Sequence, residues 1–300
     1  MKIGIIYKVL DFKETPWPIE QLKKSIFCQG HTPLIIDINR IYSYIGFEKH
    51  GVWYGEINLS KELSGGFLRS FGRGSCDAIT YRISAMEQLE VDGVYLMNST
   101  YNFRKAKDKY AALFHLYSHG IPVPRTFITR DFDSAICAIQ SEFKDFVVKP
   151  LIGSRGLGSL HISNFDLAYE AIKTLDKLNK VFYIQEFIDK PERDIRVLVL
   201  GDQVVNGMYR VASSDSWKTN ISLGAEPKPL KITAELEELA IKATKILGLD
   251  YAGVDIIETK NSGYLVLEVN AAPSWEGLQK VTPFSISDKI VNYLLDKLKR

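Results

Sequence analysis

The chain has 300 residues, of which 46% are hydrophobic, 25% charged and 11% aromatic; this excludes disordered, collagen-like and low-complexity chains and leaves apolar material for two or three domains around a cleft. Its 38 basic and 36 acidic residues give a formal charge of +2, so no overall field recruits nucleic acid or an anionic membrane, while local anion sites stay open. Cys28, Cys76 and Cys137 are scattered without a C-x-x-C pair, and no eighteen apolar residues run together, which points to a reducing, cytoplasmic setting without disulfide framework, cysteine zinc site or membrane span.

In chain order, residues 3–7 predict a buried parallel strand, 18–29 a helix stopped at Gly30, and 34–37 the next strand, a β-α-β opening. Residues 65–69, a helix over 77–92 and a strand at 94–97 continue the alternation into a small open sheet with helices on its faces. Residues 98–105 read as a connecting loop, followed by a helix over 107–119 and a stiff Ile121-Pro122-Val123-Pro124 crossing. A compact α+β unit follows: strand 126–129, helix 133–143, strand 146–149, a glycine turn, strand 159–162, helix 165–178 and strand 181–186. The tail gives a hairpin of 194–200 and 203–210 around Gly201-Asp202, a helix over 234–247, and strands 252–259 and 263–270. The expected domains are 1–97, 98–186 and 187–300.

Two constellations carry chemistry. Lys149 ends a strand beside the glycine turn Gly153, Ser154, Arg155, Gly156, Leu157, Gly158, where backbone N–H groups and an ammonium can meet an anion. The turn is no Walker A loop, lacking Gly-Lys-Ser/Thr, and no dinucleotide fingerprint, because a strand follows it; a plain glycine hairpin is the competing reading. Glu268 and Asn270 share a strand face, with Asp255 on the preceding strand. Three hard oxygen donors among apolar neighbours suit magnesium, the alternative being an outward polar strand face. His115 and His119 lack a zincin glutamate, no G-x-S-x-G elbow is present, and the basic run Arg104, Lys105, Lys107, Lys109 reads as a solvated helix start.

Taken together, Asp108-Lys109, Lys149-Pro150, Gly153 to Gly158, Gln185 to Ile188, Arg193 to Arg196, Ala252 to Asp255 and Glu268 to Asn270 resemble the ATP-grasp superfamily and its RimK-like glutamate ligases, over two thirds of the chain. Tyr209-Arg210, Ser216 to Asn220, Asn270 to Lys280 and Arg69 to Gly74 look most like the archaeal tetrahydromethanopterin glutamate ligases. The resemblance implies an ATP-grasp fold, mixed α/β and α+β, with an N-terminal open α/β domain. It implies nucleotide contacts from Lys109, Lys149, Gly153, Ser154, Arg155, Gly156, Gly158, Gln185, Glu186, Phe187, Ile188, Asp194, Lys218, Thr219 and Asn220. Metal ligation falls to Asp255, Glu268 and Asn270, catalytic roles to Arg196, Arg210 and Asn220, and substrate contacts to Arg69, Arg73, Arg210 and Ala272. Lys218 replaces the family's arginine, keeping the charge without the bidentate fork.

The implied cofactors are ATP and Mg2+ or Mn2+, two ions per site. The implied reaction activates a carboxylate as an acyl phosphate and captures it with the amine of L-glutamate, the acceptor being a small cofactor such as tetrahydromethanopterin. A deazaflavin tail, a ribosomal-protein C-terminus or an amino-group carrier protein stay open as acceptors, and so does a non-catalytic nucleotide-binding module. Neither nucleic acid nor membrane is an expected partner, and a homo-oligomer stays open.

Overall fold

Burial on both faces selects the parallel sheet that opens the chain, seen in a computed structural model that describes residues 1–9, 15–153, 157–212, 219–221, 224–259 and 263–299. Lys2–Tyr7 is buried from Ile3 to Tyr7 and lies between Thr32–Asp37 and Leu63–Leu68, with Tyr95–Met97 at the far edge, all parallel. A small antiparallel sheet of Ile41–Tyr44, Gly51–Tyr54 and Ile57–Asn58 is inserted between the second and third of these strands in the chain.

Two antiparallel sheets follow. The first has the order Leu160–Ile162, Phe146–Lys149, Phe182–Glu186, Thr126–Thr129, and its core face packs on the helices Phe132–Glu142 and Phe165–Lys177. The second has five strands, Glu226–Pro229, Gln203–Val211, Arg193–Leu200, Tyr251–Glu258 and Tyr264–Asn270. The expected hairpin is there, turning at Gly201 with φ of +60°, a backbone region that glycine enters without penalty. Its outer strand, Glu226–Pro229, holds two prolines at the sheet edge, where no ladder N–H is needed.

The expected loop at 98–105 is instead largely the helix Thr100–Lys107. Ser99 caps it by accepting from the Asn102 N–H, and Thr100, Phe103 and Ala106 are buried at three-residue spacing under a surface otherwise polar enough to resemble a loop. Asp108 then breaks and restarts the chain, its carboxylate accepting from the N–H groups of Tyr110 and Ala111 to start Lys109–Ser118. The last helix, Ile286–Leu298, lies against Trp17–Cys28 through Ile286, Ile290 and Leu294, and Ser25 Oγ donates to Asp288 at 2.6 Å. The C-terminus thus packs on the first sheet.

One buried amide joins the end of the first sheet to the five-stranded sheet. Asn98 Nδ2 donates to the carbonyls of Tyr251 (2.9 Å) and Ala271 (2.7 Å), while its Oδ1 accepts from the N–H groups of Asp250 (2.6 Å) and Tyr251 (3.1 Å). Asn98→Ala leaves these four main-chain groups without that partner. At about 1–3 kcal/mol per stranded buried group, the expected loss is about 4 kcal/mol or more of unfolding free energy. A denaturant midpoint lowered at constant m would show it, and an unchanged midpoint would mean the four groups find water.

Candidate active site

Strand alternation divides the four-stranded sheet into a core face and a site face. Phe146, Val148, Ile162, Phe182 and Ile184 join the apolar core, so Val147, Lys149, His161, Tyr183 and Gln185 point the other way. Lys149 Nζ donates to Gln185 Oε1 at 2.6 Å, and Gln185 Nε2 donates to Thr126 Oγ1 at 2.9 Å and Tyr183 Oη at 3.3 Å. Burial pulls the Lys149 ammonium down to about 8, against the attraction of Glu268 and Asp255 on the five-stranded sheet. Burial also raises the Tyr183 phenol. The two sheets therefore confront each other with opposite charges.

On the five-stranded sheet, register places Asp194 opposite Arg210, Arg196 opposite Asp255, and Asp255 opposite Glu268. Arg210 donates to both Asp194 oxygens, from Nε at 2.6 Å and Nη2 at 2.7 Å, and its Nη2 also lies 3.1 Å from Asp255 Oδ1. Burial works against the Arg210 charge, but Asp255 and Asp194 outweigh it and hold the guanidinium above its ordinary range. Thr219 donates its hydroxyl to Asp194, and Arg196 Nη2 donates to Asp255 Oδ2 at 3.0 Å. Gly253 makes room for this arginine, since a Cβ there would stand 2.5 Å from Arg196 Nη1.

The donors of the expected metal set are suited to a hard cation. Asp255 Oδ1 is buried and in charge contact with both arginines, yet among the described residues no donor meets it in hydrogen-bonding geometry. Glu268 stands opposite Asp255, an unfavourable like-charge pairing that a divalent cation would relieve. Asn270 Nδ2 reaches the Gly253 carbonyl at 3.5 Å, which orients the amide oxygen as a neutral third donor. Among the described residues, no group of three or more His, Cys, Asp and Glu side chains gathers to hold a metal, so the set is two carboxylates and one amide.

Lys109 Nζ donates to the Gly153 carbonyl at 3.1 Å, tying the first turn of its helix to the glycine segment. Gly153 and Gly158 flank Pro150, which a Cβ at Gly153 would meet at 2.8 Å. Glu186 is held by Arg125, whose backbone N and Nε both donate at 2.8 Å. Phe187 N donates to the Asp145 carbonyl, and Ile188 is half-buried. The Asn220 carbonyl accepts from Ala225 N at 3.4 Å. Arg69 donates to Tyr251 Oη (2.7 Å) and the Pro273 carbonyl (2.8 Å) and lies over the Trp275 ring. Arg73 is exposed, and Ala272 packs against the core. Ser154, Arg155, Gly156 and Lys218 lie outside the described residues.

The expectation of a solvated basic run fails at Lys107. Burial lowers its ammonium, opposed by Glu268 and reinforced by Lys109 and Arg69, because the helix Thr100–Lys107 packs against Tyr264–Asn270. Lys105 is half-buried too, its Nζ reaching the Ile246 carbonyl at 3.5 Å. The available signal was the buried Phe103–Ala106 stripe directly before Lys107.

A family profile for the RimK-like ATP-grasp domain matches residues 106–294. The chain is 34% identical over 305 residues to a tetrahydromethanopterin:alpha-L-glutamate ligase of Methanococcus maripaludis, covering 100% of this chain and 99% of the relative. It is 38% identical over 213 residues to an alpha-aminoadipate–LysW ligase of Saccharolobus solfataricus, covering 70% and 76%. The solved structure of the ATP-grasp ligase PsnB with a minimal precursor superposes with a TM-score of 0.75 at 21% identity over 98% of both chains, a likeness of fold.

Lys149 gives the site a pH signature. Its folded-state pKa of about 8 lies below the ordinary 10.5, so between those values the unfolded chain binds more protons and stability rises with pH; below 8 the penalty is constant. Relative to Lys149→Met, the wild type should gain on the order of 3 kcal/mol across that window. Denaturation at several pH values checks this, and parallel curves for the two proteins would rule it out.

Proposed function

Because this chain belongs to the RimK-like ATP-grasp family, we propose that it is an ATP-dependent ligase joining the amine of L-glutamate to a carboxylate on a small cofactor of the tetrahydromethanopterin type. The observation that carries this reading is the pairing of buried Lys149 on one sheet with Asp255 and Glu268 on the other, in a chain related over its full length to a glutamate ligase.

A carboxylate is a poor electrophile, so its oxygen first attacks the γ-phosphorus of ATP, ADP leaves, and an acyl phosphate forms. The glutamate nitrogen then adds to the acyl carbon. The tetrahedral intermediate collapses with the C–O electrons departing on phosphate, and the amine proton is released. Lys109 and Lys149 neutralise phosphate oxygens, and the guanidinium of Arg196, fixed by Asp255, faces the transferring group or a substrate carboxylate. Arg210 positions both acids, Thr219 braces Asp194, and Asn220 follows in the same segment. Phe187 and Ile188 offer the base-binding edge beside Gln185 and Glu186. Asp255, Glu268 and Asn270 would hold Mg2+ or Mn2+, two ions per nucleotide, whose chemistry is charge neutralisation on the polyphosphate. Arg69, with Arg73 in the same segment after Leu63–Leu68, is assigned to the acceptor. No protein nucleophile is required.

Among the described residues no helix is long and apolar enough to cross a membrane, and the three free cysteines are exposed, which suits the cytoplasm. A second reading, a carrier-protein acceptor, is favoured by the 38% relationship to the alpha-aminoadipate–LysW ligase.

ADP release measured with ATP, magnesium, L-glutamate and either a pterin, a deazaflavin or a carrier-protein acceptor tests the proposal. Release is expected only with glutamate and the pterin together; nucleotide binding without turnover on any acceptor favours a non-catalytic module. Glu268→Gln should keep the fold and lose turnover by about 100-fold or more. Normal turnover in that variant would remove Glu268 from the site.

A further inference from the structure

His161 carries no motif, yet the sheet places it on the face that holds Lys149. In the strand Leu160–Ile162, Ile162 enters the core, so His161 points to the site face. It stands opposite Val147, which in turn stands opposite Gln185, so His161 and the Lys149 partner Gln185 occupy one row across three strands. With strands about 4.8 Å apart, that row is about 10 Å long.

The imidazole is fixed on two sides. Its ring stacks on Phe187 with centroids 3.8 Å apart and planes 20° from parallel. His161 Nε2 lies 2.5 Å from Asp145 Oδ1, and the Asp145 carbonyl accepts from Phe187 N at 3.0 Å. Asp145 therefore sets the positions of both members of the ring pair. The His161 side chain keeps 28% of its surface open. A structural histidine serving the core would face the other way, where Ile162 already fills the space.

On the nucleotide reading proposed above, we infer that His161 is a base-binding residue: the stacked His161–Phe187 pair forms an aromatic wall for the purine ring of the nucleotide. Two flat rings and a buried ammonium on one sheet face match a ligand with an aromatic base and a polyphosphate. Asp145 acts through His161 and is a positioning residue.

Calorimetric binding of magnesium ADP and of magnesium tripolyphosphate to the full chain tests this. His161→Ala should weaken ADP binding about 10-fold, in line with the loss of one stacking ring, and leave tripolyphosphate binding unchanged; His161→Phe should restore ADP binding. Asp145→Asn should weaken ADP binding by less than His161→Ala, again sparing tripolyphosphate. ADP affinity unchanged in His161→Ala, or an equal loss for both ligands, overturns the inference. A wild type that binds tripolyphosphate but no ADP overturns it as well, whereas a wild type that binds neither takes down the nucleotide reading beneath it.

Discussion

Arg210 is the constraint on which the site depends. Its guanidinium is enclosed between Asp194 and Asp255, on a strand paired with the one that carries Asp194. Taking such charges out of water costs several kcal/mol per ion, and a buried pair of this kind adds little net stability. What it fixes is orientation. Asp194 is spanned by a bidentate arginine and braced by Thr219, while Asp255 is held through Oδ2 by Arg196 and retains Oδ1 without a hydrogen bond among the described residues. Replacing Arg210 alone would strand Asp194 as a buried charge and take one of two cationic contacts from Asp255, leaving Arg196 as the other.

The opposing sheet is also set by a cation, here one held by an amide rather than by acids. Lys149 is buried behind Gln185, and its charge is weakened by burial and by Lys109. Lys107 is weakened by burial, Lys109 and Arg69. For both, Glu268 is the leading opposing charge. These like charges repel one another, so an incoming polyphosphate would gain more here than at isolated surface lysines. Preorganisation of this kind places the work of catalysis in the fold, consistent with a reaction that needs no protein nucleophile.

The sequence was most legible where periodicity two met a buried face. The strands that carry Lys149, Gln185, Asp255, Glu268 and Asn270 were found from alternation and turn chemistry alone, and the Asp255–Glu268 pairing followed from the hairpin they form. Thr100–Lys107 was hidden because only three of its positions are buried, and that concealed the burial of Lys107. The small sheet of Ile41–Tyr44, Gly51–Tyr54 and Ile57–Asn58 uses strands too short to show a period. The docking of Ile286–Leu298 on the first sheet and the four bonds of Asn98 join residues far apart in the chain, and no local pattern encodes such partners. His161 follows from alternation once Ile162 is placed inward, but its ring partner Phe187 becomes visible only with the strands assembled.

The parallel sheet is tied to the five-stranded sheet by groups that follow the carboxyl ends of its strands. In open α/β sheets, ligand-facing residues gather at the carboxyl ends of the strands, and Arg69 directly follows Leu63–Leu68. Its two donors are engaged by Tyr251 Oη and the Pro273 carbonyl, on the strand that leads to Asp255 and just beyond Asn270. Asn98, after the edge strand Tyr95–Met97, joins the same pair of segments. The first sheet is thus bound at two points to the strands that carry Asp255, Glu268 and Asn270, so the placing of those residues depends on the first sheet as well as on their own hairpin.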